Sequence, residues 1–217
     1  MNHIRHSGIF DASSWPVTLI GAGGIGAITA ITLAKMGIPR LAIFDDDRIS
    51  PENLPTQFFP IGMLGWPKVT AAAQLVEVFS DETAVACTGD RLGGQNYYAV
   101  NSPVIVSAVD SIASRQAIWR AIKSTNWLWY LDARMGAEVF QLYSVAVDDC
   151  EWYGQVLAGL DESDVPDDPC TAKATIYTGC LAAAYIGRTV RQIITGRTPP
   201  RVLINNLITD GLVTIPA

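Results

Sequence analysis

A short apolar run, VTLI at residues 17 to 20, leads into GAGGIG and then into ITAITLAKMG, where apolar residues recur at helical spacing until Gly37 stops the pattern. Gly21, Gly23 and Gly26 therefore satisfy G-x-G-x-x-G between a strand and a helix, the context in which that spacing carries weight. Glycines there permit a tight turn and close approach of backbone N–H groups, and the helix amino end offers partial positive charge to a phosphate. The next apolar run, RLAIF at 40 to 44, completes a strand–helix–strand unit, which demands a parallel sheet.

Strands and helices keep alternating. A helix is expected over 67 to 79, a strand near 83 to 87, a buried strand in PVIVSAVD (103 to 110), a helix over 111 to 124 and a strand in WLWYLDA. The chain is thus expected to be α/β, a doubly wound Rossmann-like sheet that is mostly parallel. EVFQLYSVAV (138 to 147) has strand character with no helix before it, so antiparallel pairing is expected on the carboxyl-terminal side. A long helix over TAKATIYTGCLAAAYIGRTVRQIITG and a strand pair in VLINNLITDGLVTI close the chain. Residues 148 to 169 hold eight acids, two prolines and no Lys or Arg, and read as a solvated, mobile crossing loop within one domain spanning 1 to 217.

The strand RLAIF ends in Asp45, Asp46 and Asp47. Asp45 lies 24 residues past Gly21, near the spacing at which an acid accepts hydrogen bonds from ribose hydroxyls, and on that ground NAD and ATP fit equally. In an extended backbone Asp45 and Asp47 share one side and Asp46 takes the other, so Asp46 is expected to tolerate Asn. Two acids on one side, with Asp110 at the end of a later parallel strand, are more than a dehydrogenase requires. Three carboxylates repel a triphosphate unless a cation intervenes, which implies Mg2+. Lys68, at the start of the next helix, is placed to neutralise phosphate charge.

Composition sets outer limits. A net charge of −6 without a basic patch argues against a nucleic-acid partner. The amino-terminal residues lack the apolar core of a signal peptide and no apolar run reaches bilayer length, so a soluble cytoplasmic protein without a membrane partner is expected.

With GAGGIG, D-x-D, N-L-x-x-Q, G-x-P-K and V-D-x-x-x-x-R in that order, the chain resembles the ThiF/MoeB family of adenylyltransferases from Val17 to about Thr195. That resemblance implies ATP and Mg2+, and adenylation of the carboxyl-terminal glycine of a small ubiquitin-like or sulfur-carrier protein with a Gly-Gly tail. It implies that Gly21, Ala22, Gly23 and Gly24 line the phosphates, that Asp45 holds the ribose, and that Asp47, Asn53, Gln57 and Lys68 surround the phosphates. It makes Asp110 the metal-binding acid, Arg115 a supporting residue, and Arg5 the residue reaching into the triphosphate of a neighbouring subunit in a homodimer. Arg5 reads equally as a solvated terminal charge. One position departs from the pattern: the family usually reads N-L-x-R-Q, and Thr56 stands where the arginine would clamp phosphate, leaving Arg48 or Arg5 to supply the charge.

Two further readings stay open: a nucleotide-binding subunit without turnover, motivated by Thr56, and an NAD-dependent oxidoreductase. The resemblance places Cys170, after the acidic stretch, where some members carry a cysteine that accepts the activated carrier as thioester or persulfide, with Lys173 favouring the thiolate; a packing role is the competing reading. Cys150 is its rival, and Cys87 and Cys180, in apolar surroundings, are expected in the core. The absence of C-x-x-C pairs predicts no structural zinc, and His3 and His6 fall in a terminus expected to fray.

Overall fold

The computed structural model of the chain describes residues 3–4, 6–93, 96–123, 125–160 and 174–217. Eight strands form one sheet: β1 (Val17–Ile20), β2 (Arg40–Phe44), β3 (Ala84–Thr88), β4 (Val104–Ser107), β5 (Trp129–Gly136), β6 (Val139–Ala146), β7 (Val202–Asn206) and β8 (Gly211–Ile215). Their order is β3-β2-β1-β4-β5-β6-β7-β8. The strands from β3 to β5 pair in parallel, and β5 through β8 pair antiparallel. The helix-free β5–β6 connection explains the change of direction, since a short link joins only antiparallel neighbours.

Helices cover both faces. On one face α1 (Gly26–Lys35), α2 (Lys68–Phe79) and α5 (Ile176–Ile194) pack over Leu19, Ile43, Val106 and Leu131. On the other, α3 (Ile112–Ile122) and α4 (Cys150–Ala158) cover Ile20, Phe44, Ile105 and Tyr130. The central strands β1 and β4 are buried along their length, as continuous apolar runs require when both faces are covered. Chain order reverses between β2 and β4 on either side of β1, and the carboxyl ends there open the crevice where α/β sheets bind ligands. Among the described residues no helix is long and apolar enough to cross a membrane.

Two expectations are corrected. The stretch 148 to 169 is not a loop throughout: a short turn at Val147–Asp149 leads into α4. Tyr153 and Leu157, four apart, are buried, and Arg201 fastens the helix start by pairing with Asp149 at 2.7 Å and lying over the Trp152 ring. That spacing outweighs the acid count. Residues 161–173 lie outside the described residues. The amino-terminal segment is also more tightly held than a frayed end, with His3 bonded to Glu82 at 2.9 Å and His6 stacked on Phe10.

The long helix α5 approaches the glycine turn closely. Its buried stripe runs Thr178, Gly179, Ala182, Ala183, Ile186 and onward, and a Cβ added at Gly179 would sit 2.5 Å from the Gly24 carbonyl oxygen. Gly179→Ala is therefore expected to displace helix or turn and to lower unfolding free energy by about 1–3 kcal/mol, measured by urea denaturation; an unchanged midpoint would show that the contact is not tight.

Candidate nucleotide site

Gly21 follows β1 with φ +93°, and a Cβ there would lie 2.7 Å from the Ala108 carbonyl oxygen, so only glycine allows the chain to turn between β2 and β4. A Cβ at Gly26 would meet the Gly21 carbonyl at 1.9 Å, which seats α1 directly on the turn. Gly24 is enclosed by the Thr56 carbonyl, the Met135 side chain and α5.

Asp45 closes this turn from the end of β2. One carboxylate oxygen accepts from the Ala22 N–H at 2.6 Å and the other from the Asp47 N–H at 2.8 Å. Desolvation pushes the Asp45 pKa up against these two amides and the nearby Lys68. Because β2 stops at Phe44 and Asp45 folds back on Asp47, strand alternation lapses: Asp45, Asp46 and Asp47 each offer a ligand atom within 4.8 Å of the others. Asp46 is thus not turned away as expected. It pairs with Arg91 at 2.8 Å, and Asp47 pairs with Lys68 at 2.7 Å. Lys68 is only 6% exposed, and its backbone N–H also bonds the Asp47 carbonyl, so its ammonium is held at the site from beneath.

The segment after the acids folds against the glycine turn. Ser50 and Asn53 form a reciprocal cap, with Asn53 Oδ1 accepting from both the backbone and the hydroxyl of Ser50. Gln57 lies over Gly23, its Nε2 3.7 Å from where a Cβ would project, and its Oε1 is buried without a hydrogen-bond partner among the described residues. Thr56 contributes its backbone to the packing around Gly24. Arg48 is spent on the Gly65 carbonyl at 3.0 Å.

Asp110 stands exposed beyond β4 and acts electrostatically on Arg91. Arg115 points inward, donating to Asp132, to the Ala133 carbonyl at 3.2 Å and to the Val109 carbonyl. It holds the turn carrying Asp110 and does not project into the crevice. Arg5, Cys170 and Lys173 lie outside the described residues. Cys150 opens α4 half-buried; burial, with Asp148 and Asp149, pushes its thiol up against the influence of Lys123, which disfavours a thiolate. Cys87 and Cys180 are exposed, not core. Cys87 lies on the edge strand β3, and Cys180 falls off the buried stripe of α5.

The structure brings Asp45 onto Ala22 of the glycine turn, Lys68 onto Asp47 and Gln57 over Gly23, with Asn53 capping the segment that carries Gln57 and Asp110 acting on Arg91. Arg91 was missed by sequence reasoning, although its place just past the carboxyl end of β3 is a usable signal. The set suits a phosphate bound with a hard cation: a glycine turn at the amino end of a helix, an orphan amide oxygen, carboxylates of the kind Mg2+ takes, and one buried ammonium.

The ThiF family profile matches residues 1–213. Ubiquitin-like modifier-activating enzyme 5 of Drosophila grimshawi is 28% identical over 128 residues, covering 52% of this chain and 32% of that protein. The Drosophila erecta counterpart is 30% identical over 131 residues with the same coverage. The chain thus spans about a third of the length of these curated relatives. Among solved structures, E. coli MccB with ATP superposes with a TM-score of 0.72 at 14% identity, over 94% of this chain and 64% of that one. PaaA superposes at 0.71 with 17% identity, over 93% and 64%.

The raised pKa of Asp45 has a sign that can be tested. The folded state holds the Asp45 proton more tightly than the unfolded chain, so its stabilising contribution is full below the ordinary value of 3.8 and fades as pH rises through the raised value. The stability of wild type relative to Asp45→Asn is expected to fall across that interval and then level off in urea melts; a gap that widens with pH would mean the Ala22 and Asp47 amides dominate.

Proposed function

Because the chain belongs to the ThiF family, we propose that it uses ATP and Mg2+ to adenylate the carboxyl-terminal glycine of a small ubiquitin-like or sulfur-carrier protein ending in Gly-Gly. The observation that carries this reading is the buried ammonium of Lys68 held on Asp47, beside a glycine turn that Asp45 keeps open. A carboxylate oxygen of the carrier displaces pyrophosphate from the α-phosphorus, and the chain's task is placement and charge stabilisation. The turn from Gly21 to Gly24 lines the phosphates, its Gly21 and Ala22 N–H groups held by Phe44 and Asp45, Asp45 takes the ribose hydroxyls on its remaining lone pairs, and Gln57 directs its amide at the same turn.

Lys68 and Arg91 hold acids that a cation would otherwise neutralise. Asp110 and Asp47 are the residues that would hold Mg2+, which would supply the positive charge that a triphosphate needs beside carboxylates. The Lys68 ammonium, held on Asp47 at 2.7 Å, is the cation placed to meet the phosphate oxygens, where charge builds as pyrophosphate departs. Cys170 is proposed as the acceptor of a second step, its thiolate attacking the activated acyl carbon as AMP leaves to give a thioester. A second copy of the chain, bringing Arg5 toward this site, is part of the same proposal.

Thr56 in place of an arginine supports a second reading, nucleotide binding without turnover. The deciding measurement is ATP–pyrophosphate exchange with Gly-Gly-tailed carriers. Exchange is expected, and ATP binding without exchange on any such carrier would favour the second reading; NAD binding that ATP fails to displace would overturn both. Lys68→Ala is expected to lower exchange about 100-fold. Asp45→Asn should raise the KM for ATP by roughly tenfold, the loss of about one charge-assisted hydrogen bond. Asp46→Asn should leave exchange within about threefold, as an exposed ion pair with Arg91 is weak. Cys170→Ser should retain exchange and lose the thioester.

A further inference from the structure

Asp132 in the middle of β5 is fully buried. A carboxylate in that setting must be paired. One oxygen accepts from Arg115 Nη1, and the other accepts from Arg134 Nε at 2.6 Å and the Tyr153 hydroxyl at 2.6 Å. Burial pushes its pKa up, but the two guanidiniums and the phenol outweigh burial and hold it below the ordinary carboxylate range. It is an anion with every partner fixed. Tyr153 belongs to α4, Arg115 to α3, and Asp132 lies beside Ser107 of β4 in the parallel register.

The position of Arg115 matters because of what else it holds. Its Nη2 donates to the Val109 carbonyl, and its backbone N–H donates to the Ser111 carbonyl at 3.2 Å. Val109 and Ser111 are the two neighbours of Asp110. Ser111 is further fixed as the amino-terminal cap of α3, its hydroxyl accepting from the Ser114 N–H. The exposed carboxylate of Asp110 therefore lies between Val109, which the Arg115 guanidinium holds, and Ser111, the cap of α3, and that guanidinium is oriented by Asp132.

We propose that Asp132 is a positioning residue for the nucleotide site: it sets the Arg115 guanidinium, the guanidinium holds Val109 immediately before Asp110, and Tyr153 ties this arrangement to α4. The inference rests on the reading of Asp110 as the metal-side acid, and it deepens that reading by naming what holds Asp110 in place. Asp132 touches neither nucleotide nor cation in this scheme. Its replacement therefore weakens the step that depends on Asp110 and spares the contacts made by Asp45 and the glycine turn. A merely structural role would lower the melting temperature and weaken ATP binding with and without Mg2+ alike.

The test uses the whole chain, with ATP titrated calorimetrically in the presence and absence of Mg2+. Asp132→Asn preserves shape and removes the charge. The gain in ATP affinity that Mg2+ confers is expected to shrink about tenfold, the size typical of residues that orient a metal ligand, while affinity without Mg2+ stays at the wild-type value. Tyr153→Phe, which deletes one hydroxyl, is expected to show a smaller loss in the same direction and carries the test if Asp132→Asn does not fold. Hydrogen–deuterium exchange without nucleotide gives a second readout: peptides spanning 108 to 112 should exchange faster in either variant, with those of β1 and β2 unchanged. Asp110→Asn separates the two levels of the argument. If it leaves the Mg2+ effect intact, the reading of Asp110 falls and takes the positioning role with it. If it abolishes the effect while Asp132→Asn and Tyr153→Phe keep both the Mg2+ effect and wild-type exchange, the positioning role alone is overturned.

Discussion

The bond from the Ala22 N–H to Asp45 joins the end of β2 to the turn between β1 and α1, and most of the crevice is arranged around it. The turn can exist because Gly21 has no side chain to collide with the Ala108 carbonyl. It stays open because Asp45 holds it from one side while Gly179 lets α5 come down on Gly24 from another. An acid half-buried at such a place is costly for its charged form, and the chain offsets that cost locally with two backbone amides.

Around this joint the charges are balanced without any ligand. Lys68 answers Asp47 and Arg91 answers Asp46, so the three consecutive acids do not face one another uncompensated. The two cations differ in kind. Lys68 is buried and its backbone N–H bonds the Asp47 carbonyl, whereas Arg91 is 74% exposed along its side chain. On the opposite face of the sheet, Asp132 gathers two arginines and a tyrosine and passes their order to the turn at Asp110. The two sides of the crevice are therefore supported by separate cores.

Much of this was legible in the amino-acid order, because it depends on local rules. Glycine spacing between a strand and a helix and a missing helix between two strands point to a mostly parallel sheet with an antiparallel side, without reference to distant residues. What stayed hidden depends on tertiary neighbours. Cys87 and Cys180 sit in apolar stretches, but whether such a stretch is an edge strand or the outer side of a helix is decided by the sheet order and by which stripe of α5 packs. The acids of 148 to 158 drew attention from Tyr153 and Leu157, whose spacing makes α4. Asp132 carried a faint signal, an acid inside an apolar strand with an arginine two residues on, but its bond to Arg115 spans separate elements.

The strand order also divides the sheet by the length of chain that each pairing encloses. Gly136 meets Val139 across a hairpin, while Val17 pairs with Val104 across a stretch that includes the intervening helices and strands. Loop-closure entropy grows by about 0.6 kcal/mol for each doubling of the enclosed chain. The ribbon from β5 to β7 contains the cheapest of these closures, and the β1–β4 seam beneath the glycine turn is among the most demanding. The candidate nucleotide turn thus sits on the pairing that encloses the longest stretch of chain, so the free energy needed to close that stretch is drawn from contacts spread over the whole parallel half of the sheet.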